Sequence, residues 1–394
     1  MKPLLFSVLP RPTHATRDGL AIRNFHLIRA LSEVFRVRAF VLRPPHLLAG
    51  ASEYPAGVEI EEFAQGSRGP RRAAAAAASL LAGGAYSPRL YRSRAMSLRL
   101  ADAAARDRPS WIVAHSYHVG PLALGSGRPG WIDFHNLDSQ IWERVSETAS
   151  SGSVRAFARM QAPRVGAFER DLVTLAAGAS CVSVLDAGEL LRVSPASSPL
   201  VVPNGVDLSR YEFRPDRPGD GVLLFVGDLS WPPNADGLRW FGSEVWPLIR
   251  AALPRARVRV LGRSAPRDLV RLGSDWEFLG EGDDTRPVWA SADAAIVPLR
   301  AAGGTRLKIL EAAACGVPVV STTVGAEGLE LEPDREILLR DDPPAFADAA
   351  VRLLQDPPAR GSLAAAARAR VERRYDWRRI GESFAGELLR RSLP

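Results

Sequence analysis

The chain has 394 residues, of which 46% are hydrophobic and 24% are charged, and its formal net charge is +7. This length and apolar content predict two folded domains and exclude a disordered chain. No apolar run reaches the roughly 18 to 20 residues of a membrane span, and the two cysteines stand in no CxxC or zinc pattern, so we expect a cytoplasmic protein.

The first half alternates short apolar runs with helix-length segments, which is typical of a parallel sheet wrapped by crossover helices in an α/β protein. Leu4 to Leu9 is interpreted as a buried strand and not as a secretory leader, because Pro10 and Pro12 follow without a small-residue cleavage site. Further strands are predicted at Val37 to Leu42, Val58 to Glu61, Trp111 to Ala114, Trp131 to Phe134, Ala179 to Val182 and Leu200 to Val202.

A basic stretch runs from Arg68 to Arg108 and includes the helix-forming alanines Ala73 to Ala78. A basic helical surface of this kind can rest on anionic lipid headgroups, which would place the protein peripherally on the inner face of the membrane. The alternative interpretation is a plain solvated face. Nucleic-acid binding is not indicated, because the sequence has neither a dense basic tract nor interleaved aromatic residues.

The domain boundary is predicted after Pro203, where Asn204-Gly205 makes a tight turn. The predicted domains are 1–203 and 204–375, and a last helix over 376–394 is expected to pack back on the first domain. The second half repeats the plan of the first. Its strands are predicted at Gly221 to Gly227, Ala256 to Gly262, Trp276 to Leu279, Ala294 to Pro298, Pro318 to Ser321 and Ile337 to Leu339, and its helices at about Asn234 to Ala252 and Pro358 to Arg374.

The segment Ala301 to Gly328 carries the most chemistry. Gly303 and Gly304 allow a close backbone approach, Thr305 is placed to cap the following helix, and the free N–H groups of a helix start bind anions. Arg306 and Lys308 oppose the helix dipole there unless an anion is present. Glu311, one turn on, is placed to accept ribose hydroxyls. The alternative is that the two cations are solvated and Glu311 pairs with Lys308.

The run from Glu311 to Val320, EAAACGVPVV, followed by Gly325 to Gly328, resembles the retaining glycosyltransferases of family four with the GT-B fold. The similarity extends over most of the second half, including the strand-end sequences FVG, VLG and FLG. The resemblance implies two Rossmann-like, doubly wound domains that face a cleft. The first domain would bind the acceptor and the second a nucleotide-sugar donor.

The resemblance also implies the site and the chemistry. His135, at the end of a predicted strand, and Asp138 would be catalytic. Independently of the resemblance, Arg17 and Arg23 in the segment after the first strand are candidate cations facing the cleft. Transfer would retain the anomeric configuration without a metal or other cofactor, from a UDP- or GDP-sugar to a lipid-linked, polysaccharide or small-molecule acceptor. The nucleobase would lie at Leu279 and Gly280, and the donor would be bound by Gly19, Gly227, Arg263, Gly303, Gly304, Thr305, Arg306, Leu307, Lys308 and Glu311.

Two features of the family pattern are absent. Gly303 stands where the first glutamate of the Glu-x7-Glu motif is expected, and the basic pair that usually follows Phe225-Val226-Gly227 is missing. We expect Arg306, Lys308 and the helix start to neutralise the diphosphate instead. These absences leave open a non-catalytic, nucleotide-binding subunit. A nucleotide-sugar epimerase is a further alternative, whereas a dinucleotide oxidoreductase lacks support because no GxGxxG follows a predicted strand.

Overall fold

Two parallel β-sheets, each flanked by helices, form the framework of the chain. A computed structural model describes residues 2–16, 18–44, 52–65, 68–148, 151–282, 284–301 and 305–392. The chain divides into a first unit, Met1–Pro203 with Arg378–Pro394, and a second unit, Asn204–Trp377. The predicted α/β class with two Rossmann-like sheets is confirmed.

The sheet of the first unit has seven parallel strands in the order β3-β2-β1-β4-β5-β6-β7. Its central strands are buried on both faces, which is why they are almost continuously apolar in sequence. The strands are β1 (Leu4–Leu9), β2 (Arg36–Arg43), β3 (Glu59–Ala64), β4 (Trp111–Ala114), β5 (Gly130–Phe134), β6 (Gly178–Cys181) and β7 (Leu200–Val201).

Helices cover this sheet and connect most of its successive strands. Helix α1 begins where the Asp18 side chain accepts a hydrogen bond from the backbone N–H of Ala21, an N-cap that satisfies one of the free amides of the first turn. The helices are α1 (Gly19–Val34), α2 (Arg68–Ala82), α3 (Arg94–Asp107), α4 (Gly120–Leu124), α5 (Asp138–Thr148), α6 (Gly152–Leu175) and α7 (Val184–Val193).

The second unit has six parallel strands in the order β10-β9-β8-β11-β12-β13. Its strands are β8 (Val222–Val226), β9 (Arg257–Leu261), β10 (Trp276–Gly280), β11 (Ala294–Val297), β12 (Val319–Ser321) and β13 (Leu338–Leu339). Its helices are α8 (Pro232–Trp240), α9 (Trp246–Ala252), α10 (Arg267–Val270), α11 (Arg286–Ala290), α12 (Leu307–Cys315), α13 (Pro343–Gln355) and α14 (Pro357–Arg374).

The single helix predicted from Asn234 to Ala252 is interrupted. A π-helical turn, Phe241–Val245, separates α8 from α9. Pro247, at the start of α9, has no N–H to donate to the carbonyl one turn earlier, so the regular hydrogen-bond pattern cannot pass through this point.

The last helix, α15 (Trp377–Ser392), packs within the first unit over most of its length. A Cβ added at Gly381 would lie 2.5 Å from Ala30 Cβ, so α15 and α1 are in close contact. Trp111 donates its indole N–H to the Leu388 carbonyl at 3.0 Å. Within the described residues, no helix is both long and apolar enough to cross a membrane.

Candidate functional site

In the second unit, the carboxyl ends of β8, β9 and β10 each lead into a glycine. Gly227 N–H donates to the Leu261 carbonyl and Gly262 N–H donates to the Gly280 carbonyl, both at 2.9 Å. A Cβ at Gly262 would lie 1.9 Å from the Gly227 carbonyl oxygen, so no side chain fits there. The backbone is therefore bare at the sheet edge where ligands bind in doubly wound folds.

Lys308 reaches this edge from α12. Its Nζ donates to Asn234 Oδ1 at 3.1 Å and lies 4.1 Å from the centre of the Phe225 ring in β8. A Cβ added at Gly227 would lie 2.7 Å from the same Nζ. The predicted donor-site residues Gly227 and Lys308 are thus adjacent in the structure, although 81 positions separate them in sequence.

The Lys308 ammonium is poised to lose its proton. Burial, together with the positive charge of Arg306, lowers its pKa to about 7, and Glu311 opposes this shift only partly. An anion beside Lys308 would favour the protonated form and raise the pKa again. The surroundings of Lys308 are therefore short of negative charge.

The start of α12 corrects one prediction. Thr305 does not cap this helix, because it stands one residue before the N-cap position, and its hydroxyl accepts a hydrogen bond from Asn204 Nδ2 at 2.7 Å. The N-cap residue is Arg306, which makes no side-chain capping bond, and the helix begins at Leu307. The amides of the first turn are thus left without a side-chain cap. The predicted loop residues Gly303 and Gly304 lie outside the described residues.

Arg306 is almost fully buried beneath the turn that follows β12. Its Nη2 donates to the Val324 carbonyl at 2.9 Å, and its side chain is 5% exposed. Gly325, in the same turn, has no room for a side chain, since a Cβ would lie 2.5 Å from the Val297 carbonyl oxygen. Arg306 therefore fixes this turn against the start of α12 and places a positive charge next to Lys308.

Glu311 is held by Trp289 of α11 and by Thr285, the residue before that helix. Its Oε2 accepts from Trp289 Nε1 at 3.2 Å and lies 3.4 Å from the Thr285 hydroxyl. Burial raises the pKa of this carboxyl, and hydrogen bonds from Trp289, Tyr211 and Thr285 partly offset that effect. The alternative interpretation, a simple surface pair with Lys308, does not describe this environment.

The other predicted donor-site residues of this unit are more exposed. Arg263 pairs with Asp228 at 2.6 Å and lies 3.7 Å from Glu281, so carboxylates largely balance its charge. Leu279 is 37% exposed. Gly280 has a positive φ of 75° and open space at its Cβ position. Both residues lie at the end of β10, where the strand register shifts.

In the first unit, His135 lies next to a buried ion pair. Its Nε2 is 3.1 Å from Asp133 Oδ2. Asp133, which has no exposed surface, accepts two hydrogen bonds from Arg23, at 2.8 and 2.9 Å, and one from Ser180 at 2.7 Å. Burial would raise the pKa of Asp133, but the charge and hydrogen bonds of Arg23 hold it well below its usual range. Burial lowers the pKa of His135.

This ion pair overturns the prediction that Arg23 faces a cleft. The guanidinium is fully buried and also donates to the Pro203 carbonyl at 3.1 Å. Arg17, predicted for the same role, lies outside the described residues. Gly19 is the first residue of α1 and is exposed, and its contact with the donor stays a prediction.

The side chain of Asp138, the second predicted catalytic residue, contacts Tyr117 and His118 and not His135. It accepts a hydrogen bond from the Tyr117 hydroxyl at 2.7 Å and lies 3.5 Å from His118 Nε2. Its own backbone N–H donates to Glu169 at 2.7 Å, which anchors the start of α5. Burial raises the pKa of Glu169 to about 8. The structure thus places His135 and Asp138 in separate contact networks.

Several functional neighbours were not predicted from sequence, namely Asn234, Trp289, Thr285, Tyr211 and Asp133. Asn234 stands in the segment that replaces the usual basic pair. The absence of that pair is the sequence feature that could have drawn attention to Asn234. The others are brought to the site by packing between distant elements. Among the described residues, no three potential metal-ligating side chains cluster.

The second half of the chain is similar in sequence to known glycosyltransferases. Residues 220–356 match the family model described as Glycosyl transferases group 1. A Corynebacterium glutamicum protein named GDP-mannose-dependent monoacylated alpha-(1-6)-phosphatidylinositol monomannoside mannosyltransferase is 31% identical over 48% of this chain and 55% of its own length. A Frankia alni D-inositol 3-phosphate glycosyltransferase is 34% identical over 42% of this chain and 47% of its own.

Solved structures extend the likeness over the whole chain. The Anabaena HepE structure with UDP and glucose has a TM-score of 0.65 at 15% identity and covers 99% of this chain and 100% of its own. A Burkholderia multivorans trehalose 6-phosphate synthase also has a TM-score of 0.65, at 16% identity, and the match covers 100% of this chain and 97% of that protein. The predicted resemblance to GT-B glycosyltransferases is confirmed, although the chain spans only about half the length of the curated relatives it matches.

Proposed function

We propose that this chain is a glycosyltransferase that moves a hexose-type sugar from a UDP- or GDP-sugar to a hydroxyl acceptor. The observation that carries the proposal is the position of Lys308, whose ammonium lies beside the bare backbone of Gly227 and one residue into α12. A diphosphate at this point would meet the ammonium and the uncapped amides of the helix start. It would also remove the conflict between a cation and the positive end of the helix dipole.

The same groups account for the chemistry. When the bond between the sugar and the diphosphate breaks, negative charge builds on the departing phosphate oxygen. Lys308, Arg306 and the first amides of α12 are fixed before the reaction, so they stabilise that charge without reorganising. In this scheme neither a metal ion nor another cofactor supplies the positive charge.

Glu311 fits the ribose end of the donor. Its carboxylate lies one turn beyond Lys308 and is held in place by Trp289 and Thr285. An oriented carboxylate can accept hydrogen bonds from two vicinal hydroxyls. The base itself would lie at Leu279 and Gly280. Because the named relatives include a GDP-mannose-dependent enzyme and the solved neighbours a UDP complex, both bases belong to the proposal.

His135 is the residue of the first unit that we propose to contact the transferred sugar. A carboxylate 3.1 Å from Nε2 disfavours a lone pair on that nitrogen, so Asp133 favours the neutral tautomer with its proton on Nε2. The Nδ1 lone pair is then the acceptor that His135 offers to a hydroxyl. Asp138 stays a predicted catalytic residue. The family resemblance supports transfer with retention of the anomeric configuration, in which the acceptor hydroxyl gives its proton to the departing phosphate.

Donor hydrolysis tests the proposal without a known acceptor. We expect the full chain to release UDP or GDP slowly from a matching nucleotide hexose, and Lys308→Ala to slow this release by about a hundredfold. Arg239→Ala, which removes an exposed arginine paired with Asp268, is the matched control and should keep full activity. Adding a chelator should leave the rate unchanged.

Two outcomes would redirect the proposal. Nucleotide binding without any hydrolysis or transfer, across UDP- and GDP-sugars and acceptors of the three predicted classes, would favour the non-catalytic nucleotide-binding subunit, which the absent first glutamate at Gly303 also suggests. Once an acceptor is found, NMR of the product would show the anomeric configuration, and an inverted product would refute retention.

A further inference from the structure

The exposed face of α2 carries an apolar stripe. Ala73, Ala77 and Leu80 follow one another at helical spacing, with Ala74 and Leu81 alongside, and all five are exposed. Leu80 is 57% and Leu81 89% exposed. Helices of soluble proteins normally turn such a stripe toward the core. An apolar stripe that faces solvent instead indicates a surface that binds another molecule or a membrane.

The opposite face of α2 already has its packing partner. Ser79 is fully buried, and its hydroxyl accepts from Gln161 Nε2 of α6 at 2.8 Å. Arg164, also of α6, donates to the Ser79 carbonyl. Helix α2 is thus fixed by its polar and small residues, and the leucines are left outward in a defined orientation.

The surroundings of the stripe are strongly basic. From 63 to 101 the sequence has seven arginines and no aspartate or glutamate. Arg71 and Arg89 donate to the main-chain carbonyls of Arg92 and Gly83, which leaves their positive charge in place. In the part of the chain that the structure describes, the exposed Arg72 and Arg94 pair with no carboxylate.

We propose that α2 and the following segment to α3 form a docking surface for an anionic lipid bilayer, with Leu80 and Leu81 entering the headgroup boundary. The leucines of the stripe gain free energy by leaving water, and the exposed arginines of the same segment are attracted to anionic headgroups, so the segment complements both the apolar interior and the charge of such a bilayer. The proposal is independent of the donor site and would hold or fail without it.

Sedimentation with vesicles tests this surface on the full chain. We expect binding to vesicles of phosphatidylcholine with about 30% phosphatidylglycerol, and about tenfold weaker binding by the Leu80→Ser/Leu81→Ser double variant. The matched control is Leu185→Ser/Leu191→Ser, which removes two exposed leucines of α7 beside the acidic Asp186 and Glu189 and should bind as the unchanged protein does.

A second pair of variants tests the charge. Arg72→Gln/Arg94→Gln should weaken binding by about 25-fold, because each cation near an anionic surface contributes about fivefold. Arg192→Gln/Arg335→Gln removes equal charge from arginines that already face Glu189 and Glu332, and should have little effect.

The proposal is overturned if the protein binds vesicles of pure phosphatidylcholine as strongly as the anionic vesicles. It is also overturned if the Leu80→Ser/Leu81→Ser variant binds anionic vesicles as the unchanged protein does. Self-association that depends on Leu80 and Leu81 would assign the stripe to a protein contact and also overturn it.

Discussion

Gly227 is the residue whose lack of a side chain the site depends on most directly. A Cβ there would meet Lys308 Nζ at 2.7 Å and Asn234 Nδ2 at 2.9 Å. Both atoms end flexible side chains, so Gly227→Ala should leave the free energy of unfolding nearly unchanged but displace the ammonium. We expect UDP or GDP affinity to fall by about tenfold, or about 1.4 kcal/mol, in calorimetry.

Gly188→Ala is the control for this change. Gly188 lies in α7 of the first unit and has open space at its Cβ position, so its substitution should alter neither affinity nor fold. If Gly227→Ala bound nucleotide as tightly as the unchanged protein, the Lys308 ammonium would not be at the diphosphate.

The buried pair of Arg23 and Asp133 sets the stability of the first unit around His135. Asp133→Asn leaves the Arg23 guanidinium buried without a counter-charge, and we expect a loss of about 3 to 5 kcal/mol in urea unfolding. Arg23→Met should cost a similar amount.

The double variant Arg23→Met/Asp133→Asn distinguishes a coupled pair from two independent residues. It removes both charges together and should be much more stable than the sum of the single losses predicts. Additive losses would mean that the two side chains do not stabilise one another.

At the scale of elements, α15 and α1 are in contact through Gly381. A Cβ at Gly381 would come within 2.5 Å of Ala30 Cβ, whereas Gly386 in the same helix has open space. Gly386→Ala should stabilise the protein by about 0.5 to 1 kcal/mol through helix propensity. Gly381→Ala should destabilise it by about 1 to 3 kcal/mol through overpacking. Equal effects in urea unfolding would show that α15 does not pack on α1.

The elements themselves were largely predictable. Every predicted strand is present. Most of them are buried on both faces and therefore read as short apolar runs, several of which glycine or proline ends, whereas the edge strand β3 is only partly buried. The π turn before Pro247 was not predicted, since helical periodicity continues through it and only the backbone hydrogen bonds reveal it.

The site was predictable only in part. Lys308, Arg306 and Glu311 could be proposed from sequence because a helix start with cations and a following small-residue turn is a local pattern, and their role in binding the donor stays a prediction. The capping role of Thr305 was wrong, because α12 begins one residue later than a cap at Thr305 requires, and the Thr305 hydroxyl instead contacts Asn204, 101 residues away. The exposure of Arg23 was likewise misjudged, because Asp133 lies 110 residues away in sequence. Such pairings depend on the topology of the sheet and leave no trace in local spacing.

Over the whole molecule, positive charge is used in two ways. At the proposed donor site, Arg306 and Lys308 would take the place of the basic pair that the sequence lacks after β8. On the first unit, Arg72 and Arg94 are exposed and, within the described residues, pair with no carboxylate, whereas Arg99 pairs with Glu61 and Asp102. The first use is local and partly buried, and the second is spread over a surface, so salt should weaken lipid docking far more than nucleotide binding.

Calorimetric titration of UDP and GDP at pH 8, in buffers of different ionisation enthalpy, tests the central claim that Lys308 binds the donor diphosphate. The pKa of Lys308 is about 7 in the free protein, so the side chain is mostly neutral at pH 8, and a bound diphosphate would raise that pKa. We predict uptake of about one proton on binding, lost together with at least tenfold affinity in Lys308→Ala. Binding without proton uptake, or with unchanged affinity in Lys308→Ala, would contradict the account.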